Sequence, residues 1–173
     1  RLLRHSPSKS AAETQALLPP VVLVQKTISV TLGDRLLLCT GVGTGSLTRW
    51  HLRDMAAALA LPFRTLKRCT INSSAHMPVE TFAMQPGMVS SFLHPERAVP
   101  LSALVLLPWR ERWDAQEREV AISLSLWESL ALPVRCLRPL VRQYARRAYP
   151  QVRLIELGSE GATRSLIEAD DGS

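Results

Sequence analysis

A mixed α/β domain is what this chain predicts, and three observations carry that reading. Residues 21–39, VVLVQKTISVTLGDRLLLC, hold two β-rich runs either side of Gly33-Asp34, which is hairpin chemistry. Leu52, Met55, Ala56 and Leu59 recur at helical spacing within residues 47–60. Residues 99–108 form an apolar run bounded by prolines, as a buried strand is. Helix and strand signals alternate along 173 residues, enough for one domain with a sizeable core.

Taken in order, residues 8–18 read as a short helix. Ser10 and Glu13 stand at capping-box spacing, and Pro19-Pro20 ends the ladder. After the hairpin comes GVGTGS at residues 41–46, with Ser46 as the expected N-cap of the helix over 47–60, which Pro62 closes. Residues 63–71 predict a strand and 72–78 a loop. A single helical turn over 78–84 is stopped by Gln85-Pro86-Gly87. Met88 to Leu93 is short and apolar with two serines inside it, and RERWDAQERE is a charged connection. Residues 120–132 alternate like one half-buried strand. A helix over 139–148 leads to a strand over 152–157, and residues 158–173, ending EADDGS, predict a mobile tail.

Composition narrows the chemistry. The net charge of +6 and the pI near 9.9 suit a polyanionic partner. Cys39, Cys69 and Cys136 are scattered without CxxC spacing, which argues against a disulfide framework or a zinc site and suits a reducing cytoplasm. His5, His51, His76 and His94 show no HxH or HExxH spacing, so no metal is expected, and no GxSxG elbow supports a serine hydrolase. No apolar run approaches membrane-spanning length, and the opening RLLRHSPSKS lacks the apolar core of a signal peptide. A start without methionine suggests a trimmed chain or a fragment.

Within this frame Lys26 is out of place. Alternation puts it with Val22, Val24, Ile28 and Val30, while Leu23, Gln25, Thr27 and Ser29 share the other face. An ammonium among aliphatic side chains must reach water or face a polar cavity. It also serves some edge strands as a guard against aggregation, and the sequence leaves both uses open. GVGTGS departs from a dinucleotide fingerprint, since its third glycine would fall at Ser46 and no acidic residue follows at the expected distance. A nucleotide-binding enzyme built on residues 41–46 is the weaker reading, and a flexible turn the stronger. Arg138, Arg142 and Arg146, at i, i+4 and i+8, make a basic stripe able to track phosphates or simply to face water.

A second motif joins Lys26 at Gly87. The order HSP (residues 5–7), SAAE (10–13), QKTISV (25–30), LTRWHLRDMAAALAL and MQPGMVSSFL (84–93) resembles the YbaK/EbsC/ProX-like family of aminoacyl-tRNA deacylases. That family is related to the editing domain of bacterial prolyl-tRNA synthetases. The resemblance covers residues 5–132 and implies a curved mixed sheet of about six or seven strands surrounded by helices. It places a single editing domain over residues 1–157, with the family's first helix and strand missing. It implies hydrolysis of mischarged aminoacyl-tRNA in trans, with no cofactor. Aminoacyl-tRNA is the implied partner, and an aminoacyl-tRNA synthetase a further one. Lys26 matches the family's functional lysine. Gly87, Met88, Val89, Ser90 and Ser91 match its pocket loop GxxxP, with Phe92, His5 and Thr27 as further substrate contacts. Ser91 stands where the family has proline, a loss of fixed φ that bears on loop shape and on activity. If the chemistry is gone, a binding module for tRNA or an aminoacylated partner remains.

Overall fold

The computed structural model describes residues 1–43, 47–73, 77, 79–85, 88–98, 101–107, 118–158 and 164–165. The mixed α/β class holds, with nine strands in one sheet among the described residues rather than six or seven. They are β1 (Leu2–Arg4), β2 (Val22–Leu32), β3 (Arg35–Val42), β4 (Cys69–Ser73), β5 (Leu101–Leu106), β6 (Glu119–Ser123), β7 (Glu128–Pro133), β8 (Arg153–Glu156) and β9 (Arg164–Ser165). The order is β1-β7-β6-β2-β3-β5-β8-β9, with β4 also on β2. Helices α1 (Ala11–Leu17), α2 (Arg49–Ala58), α3 (Val79–Phe82) and α4 (Val134–Ala148) surround it. Among the described residues no helix is long and apolar enough to cross a membrane.

β2 is the strand that joins two half-sheets. Its start, Val22 to Val24, runs parallel to β6. From Gln25 to Leu32 it pairs with β3, and from Ile28 to Leu32 also with β4. Gly33, at φ +64, makes the predicted two-residue turn, since a positive φ suits glycine at its first position. Along the edge away from β3, Gln25, Lys26 and Thr27 fall between the end of the β6 ladder and the start of β4. A strand whose neighbours part there leaves room for other groups to approach its backbone.

Both faces of the sheet are covered. Ile28, Val30 and Leu32 pack with Leu37, Cys39, Met55 and Ala56 under α2, and Val22 and Val24 pack with Leu18 and Ala121 by α1. The opposite face holds the largest cluster, in which Leu137, Val141 and Tyr149 join Leu38, Leu93 and Leu104. Thr27 and Ser29 lie on that face and are buried. The half-polar face of the hairpin is therefore an interior, with polar groups that need partners.

Several boundaries differ from expectation. Ser10 caps α1 by accepting from Glu13 N–H, but the Glu13 carboxylate accepts from Lys9 N–H, one residue before the cap. Thr48, not Ser46, caps α2; Ser46 lies outside the described residues. Residues 63–68 form a 3-10 turn, Phe63–Arg68, because Thr65 N–H and Oγ1 both donate to Pro62 O; the strand begins only at Cys69 and takes in the first of the expected loop. The run 120–132 is two strands. Leu124 and Ser125 N–H both donate to Glu128 O, turning the chain without glycine or proline. α4 starts at Val134 and contains Pro139, whose missing N–H costs one bond early in the helix. Arg164 and Ser165, within the expected tail, pair with β8.

Candidate functional site

The gap beside β2 is where chain-distant motifs meet. Gln25 Nε2 donates both to Thr40 Oγ1 at 2.9 Å and to Ser91 Oγ at 2.5 Å, across 66 residues. All three groups are buried, so each bond replaces lost hydration. Tyr149 OH donates to Ser91 O, and Tyr144 OH donates to Leu93 O at 2.8 Å. Phe92 packs edge-on against Tyr144, ring centroids 5.3 Å apart, while its N–H donates to Ser90 Oγ at 3.2 Å. The segment from Met88 to Leu93 is irregular yet fixed from both sides, by β2 and by α4. Ser91 Oγ, accepting from Gln25 Nε2, ties the segment to β2. Side-chain bonding therefore holds a segment that has no ladder of its own.

Beyond Gln25, Val89 and Ser90 line a small polar hollow with Val24, Ser123 and, from α1, Ala11 and Thr14. Val24 faces Ala121 in the parallel ladder, and Ser123 stands two residues further along β6. Lys26 is not one of the residues lining the hollow; strand alternation puts it on Val24's side of β2, the side opposite Gln25. Lys26 is half-buried, and burial lowers its pKa below the usual lysine value. Its backbone partner on β3 is Gly41, which adds no side chain above it.

His5 joins the same row from the far edge. Its Nδ1 lies 2.8 Å from Ser6 O, a carbonyl that can only accept, so this nitrogen carries the proton. In the neutral ring Nε2 then accepts from Ser129 Oγ at 3.0 Å. Ser129 is the ladder partner of Ser123. A polar line thus runs from His5 through Ser129 to Ser123 beside the hollow.

The expected site residues sort as follows. Val89 and Ser90 reach the hollow, and Met88 and Phe92 are half-buried beside them. Ser91 and Thr27 are buried, Ser91 completely, and belong to the packing under the site rather than to an open surface. Gly87 lies outside the described residues, as do residues 44–46 of the glycine-rich turn. Of the arginine stripe, Arg142 bonds the buried Glu156 through Nε and Nη2, and Arg138 Nη1 is 4.0 Å from the same carboxylate; of the three, Arg146 is the exposed one. Gln25, Thr14, Ser123, Ser129 and Tyr149 were not anticipated. Gln25 carried a faint signal as a polar residue beside Lys26 in an apolar strand; the others carried none.

Burial and the nearby Cys69 push the Cys39 thiol far up, away from thiolate chemistry. Among the described residues no group of His, Cys, Asp and Glu is placed to hold a metal ion. Comparison of the sequence with protein-family models and with curated proteins gives no match.

Proposed function

We propose that this chain is an aminoacyl-tRNA deacylase acting in trans, with the YbaK-like fold and chemistry that its motifs resemble. The observation that carries the reading is the Gln25–Ser91 bond, which brings the QKTISV and MVSSFL motifs together beside one hollow. In this reading Lys26 is the principal functional side chain. Its ammonium, partly withdrawn from water, attracts the terminal phosphate or the charge growing on the ester carbonyl oxygen more strongly than an exposed one does. The N–H groups of Met88 and Phe92 already donate to Gln85 O and Ser90 Oγ, so those of Val89 and Ser90 are assigned to the oxyanion. Water adds to the ester carbon, the ribose oxygen departs, and the water proton returns to that oxygen through the neighbouring ribose hydroxyl. The products are a free amino acid and uncharged tRNA. His5, Met88 and Phe92 are assigned to the aminoacyl end. The three free cysteines fit the reducing cytoplasm where such a substrate is found.

A panel of mischarged tRNAs tests this. Wild type is expected to release the amino acid from at least one, and Lys26→Ala to slow that release about a hundredfold. Release from none of them refutes the hydrolase and leaves a binding module. An unimpaired Lys26→Ala refutes the role of the lysine.

A further inference from the structure

Helix α2 buries Met55 and Ala56 and leaves a different surface outside. On that outer side Trp50 is 68% exposed, and Phe63, from the 3-10 turn after the helix, is 60% exposed. Rings this large left in water mark an interaction surface when they cluster, and these two do. Arg53, one turn beyond Trp50, places its guanidinium carbon 4.9 Å from the Trp50 ring centre and 5.1 Å from that of Phe63. The three side chains make one row, indole, guanidinium and phenyl, drawn from two elements and held by cation–π attraction. The surroundings are basic: residues 49–68 contain five Lys and Arg against the single acid Asp54, and Arg49, Arg64 and Lys67 are exposed.

Flat π faces beside exposed cations suit one class of ligand. Unpaired bases stack on aromatic rings whatever their sequence, and the phosphates between them take up lysine and arginine. A duplex keeps its base faces inside the stack and cannot use the rings. We propose that Trp50, Arg53 and Phe63, with Arg49, Arg64 and Lys67 around them, bind a single-stranded nucleic-acid segment. This surface shares no residue with the hollow at Ser90. It stands whether or not the chain hydrolyses aminoacyl esters, because its ligand is recognised by bases and phosphates.

The test uses the intact chain and labelled RNA and DNA strands of about a dozen nucleotides carrying no aminoacyl group, read by fluorescence anisotropy. Wild type binds, more weakly as salt rises, and annealing the strand to its complement weakens binding further. The Trp50→Ala, Phe63→Ala double variant loses about tenfold or more in affinity with an unchanged melting temperature. Trp50→Tyr, which keeps a stacking face, retains most of the affinity, whereas Trp50→Leu, which keeps only apolar bulk, does not. A double variant that binds as wild type overturns the proposal. So does equal binding of duplex and single strand, or of the Tyr and Leu variants. Binding of neither strand by wild type overturns it as well and assigns the patch to a protein contact.

Discussion

Helices α2 and α4 both carry arginines at helical spacing, and they use them in opposite ways. On α4 the stripe turns inward: Arg142 and Arg138 converge on Glu156 of β8, whose side chain is 11% exposed. The hydrogen bond to Glu156 holds the Arg142 proton more tightly than usual. On α2, among the described residues, no carboxylate pairs with Arg53; two exposed rings flank it instead. Spacing says which residues share a helix face. It does not say what stands across from that face, and a carboxylate 14 residues further along the chain is enough to turn a phosphate tracker into a fastener.

The largest effect expected from this contrast is on stability. Arg142→Ala leaves the Glu156 carboxylate buried, with the more distant Arg138 beside it at 4.0 Å. The cost is about 2–3 kcal/mol, below that of a fully buried pair because Arg142 keeps some contact with water. It should appear as a lower urea midpoint at constant m-value. Affinity for single-stranded RNA and its salt slope should not move. Exposed Arg146→Ala is expected to stay within about 0.5 kcal/mol of wild type. If Arg142→Ala keeps its stability and loses RNA binding instead, the roles of the two helices are reversed.

A smaller effect separates fastening by charge from fastening by hydroxyl. Tyr149, buried just past the end of α4, donates to Ser91 O, and burial beside Tyr144 pushes its pKa up. Tyr149→Phe keeps the ring and strands a buried carbonyl, at a cost of about 1–2 kcal/mol. Amide exchange between Met88 and Leu93 should accelerate more than exchange in β5. Uniform acceleration would show that the hydroxyl serves the whole fold and not this segment.

What the chain revealed in advance follows the range of the forces involved. The Gly33-Asp34 turn was legible because a two-residue hairpin needs a positive φ and glycine supplies it. The Met55 and Ala56 stripe and the run 101–106 were legible because period and burial agree. The break between β6 and β7 was hidden, since Leu124 and Leu126 continue the alternation through a turn that Ser125 helps close by accepting from Trp127 N–H at 3.3 Å. Pro139 looked like the start of a helix and lies inside one. At the site, Lys26 announced itself as a charge in an apolar strand. Its surroundings did not: the bonds of Gln25 to Ser91 and of His5 to Ser129 span 66 and 124 residues, and nothing local encodes such pairings. Ser91 was readable as a departure from the proline pattern. That its hydroxyl would be held by Gln25 was not, because the two lie 66 residues apart.

The smallest effect concerns how α2 is begun. His51 Nδ1 accepts from Thr48 N–H at 3.1 Å, while Thr48 Oγ1 accepts from His51 N–H, so the cap requires a neutral imidazole. Burial lowers the His51 pKa from the usual 6.5, with Asp54 opposing more weakly. A base with a depressed folded pKa binds its proton more readily when unfolded. The stability it lends is therefore complete above pH 6.5 and lost as pH falls toward and through the folded value. His51→Gln keeps an acceptor at the same place in the capping box and removes the titration. Its melting temperature should match wild type at pH 7.5 and fall less between pH 6.5 and 5, the difference amounting to a few tenths of a kcal/mol. The Trp50 surface, one residue away, provides the sharper reading. If α2 begins as described, RNA affinity of wild type drops on acidification only as far as the cap loosens, and His51→Gln abolishes that part; an identical acid profile in both proteins would mean that the cap and the stacking surface are independent.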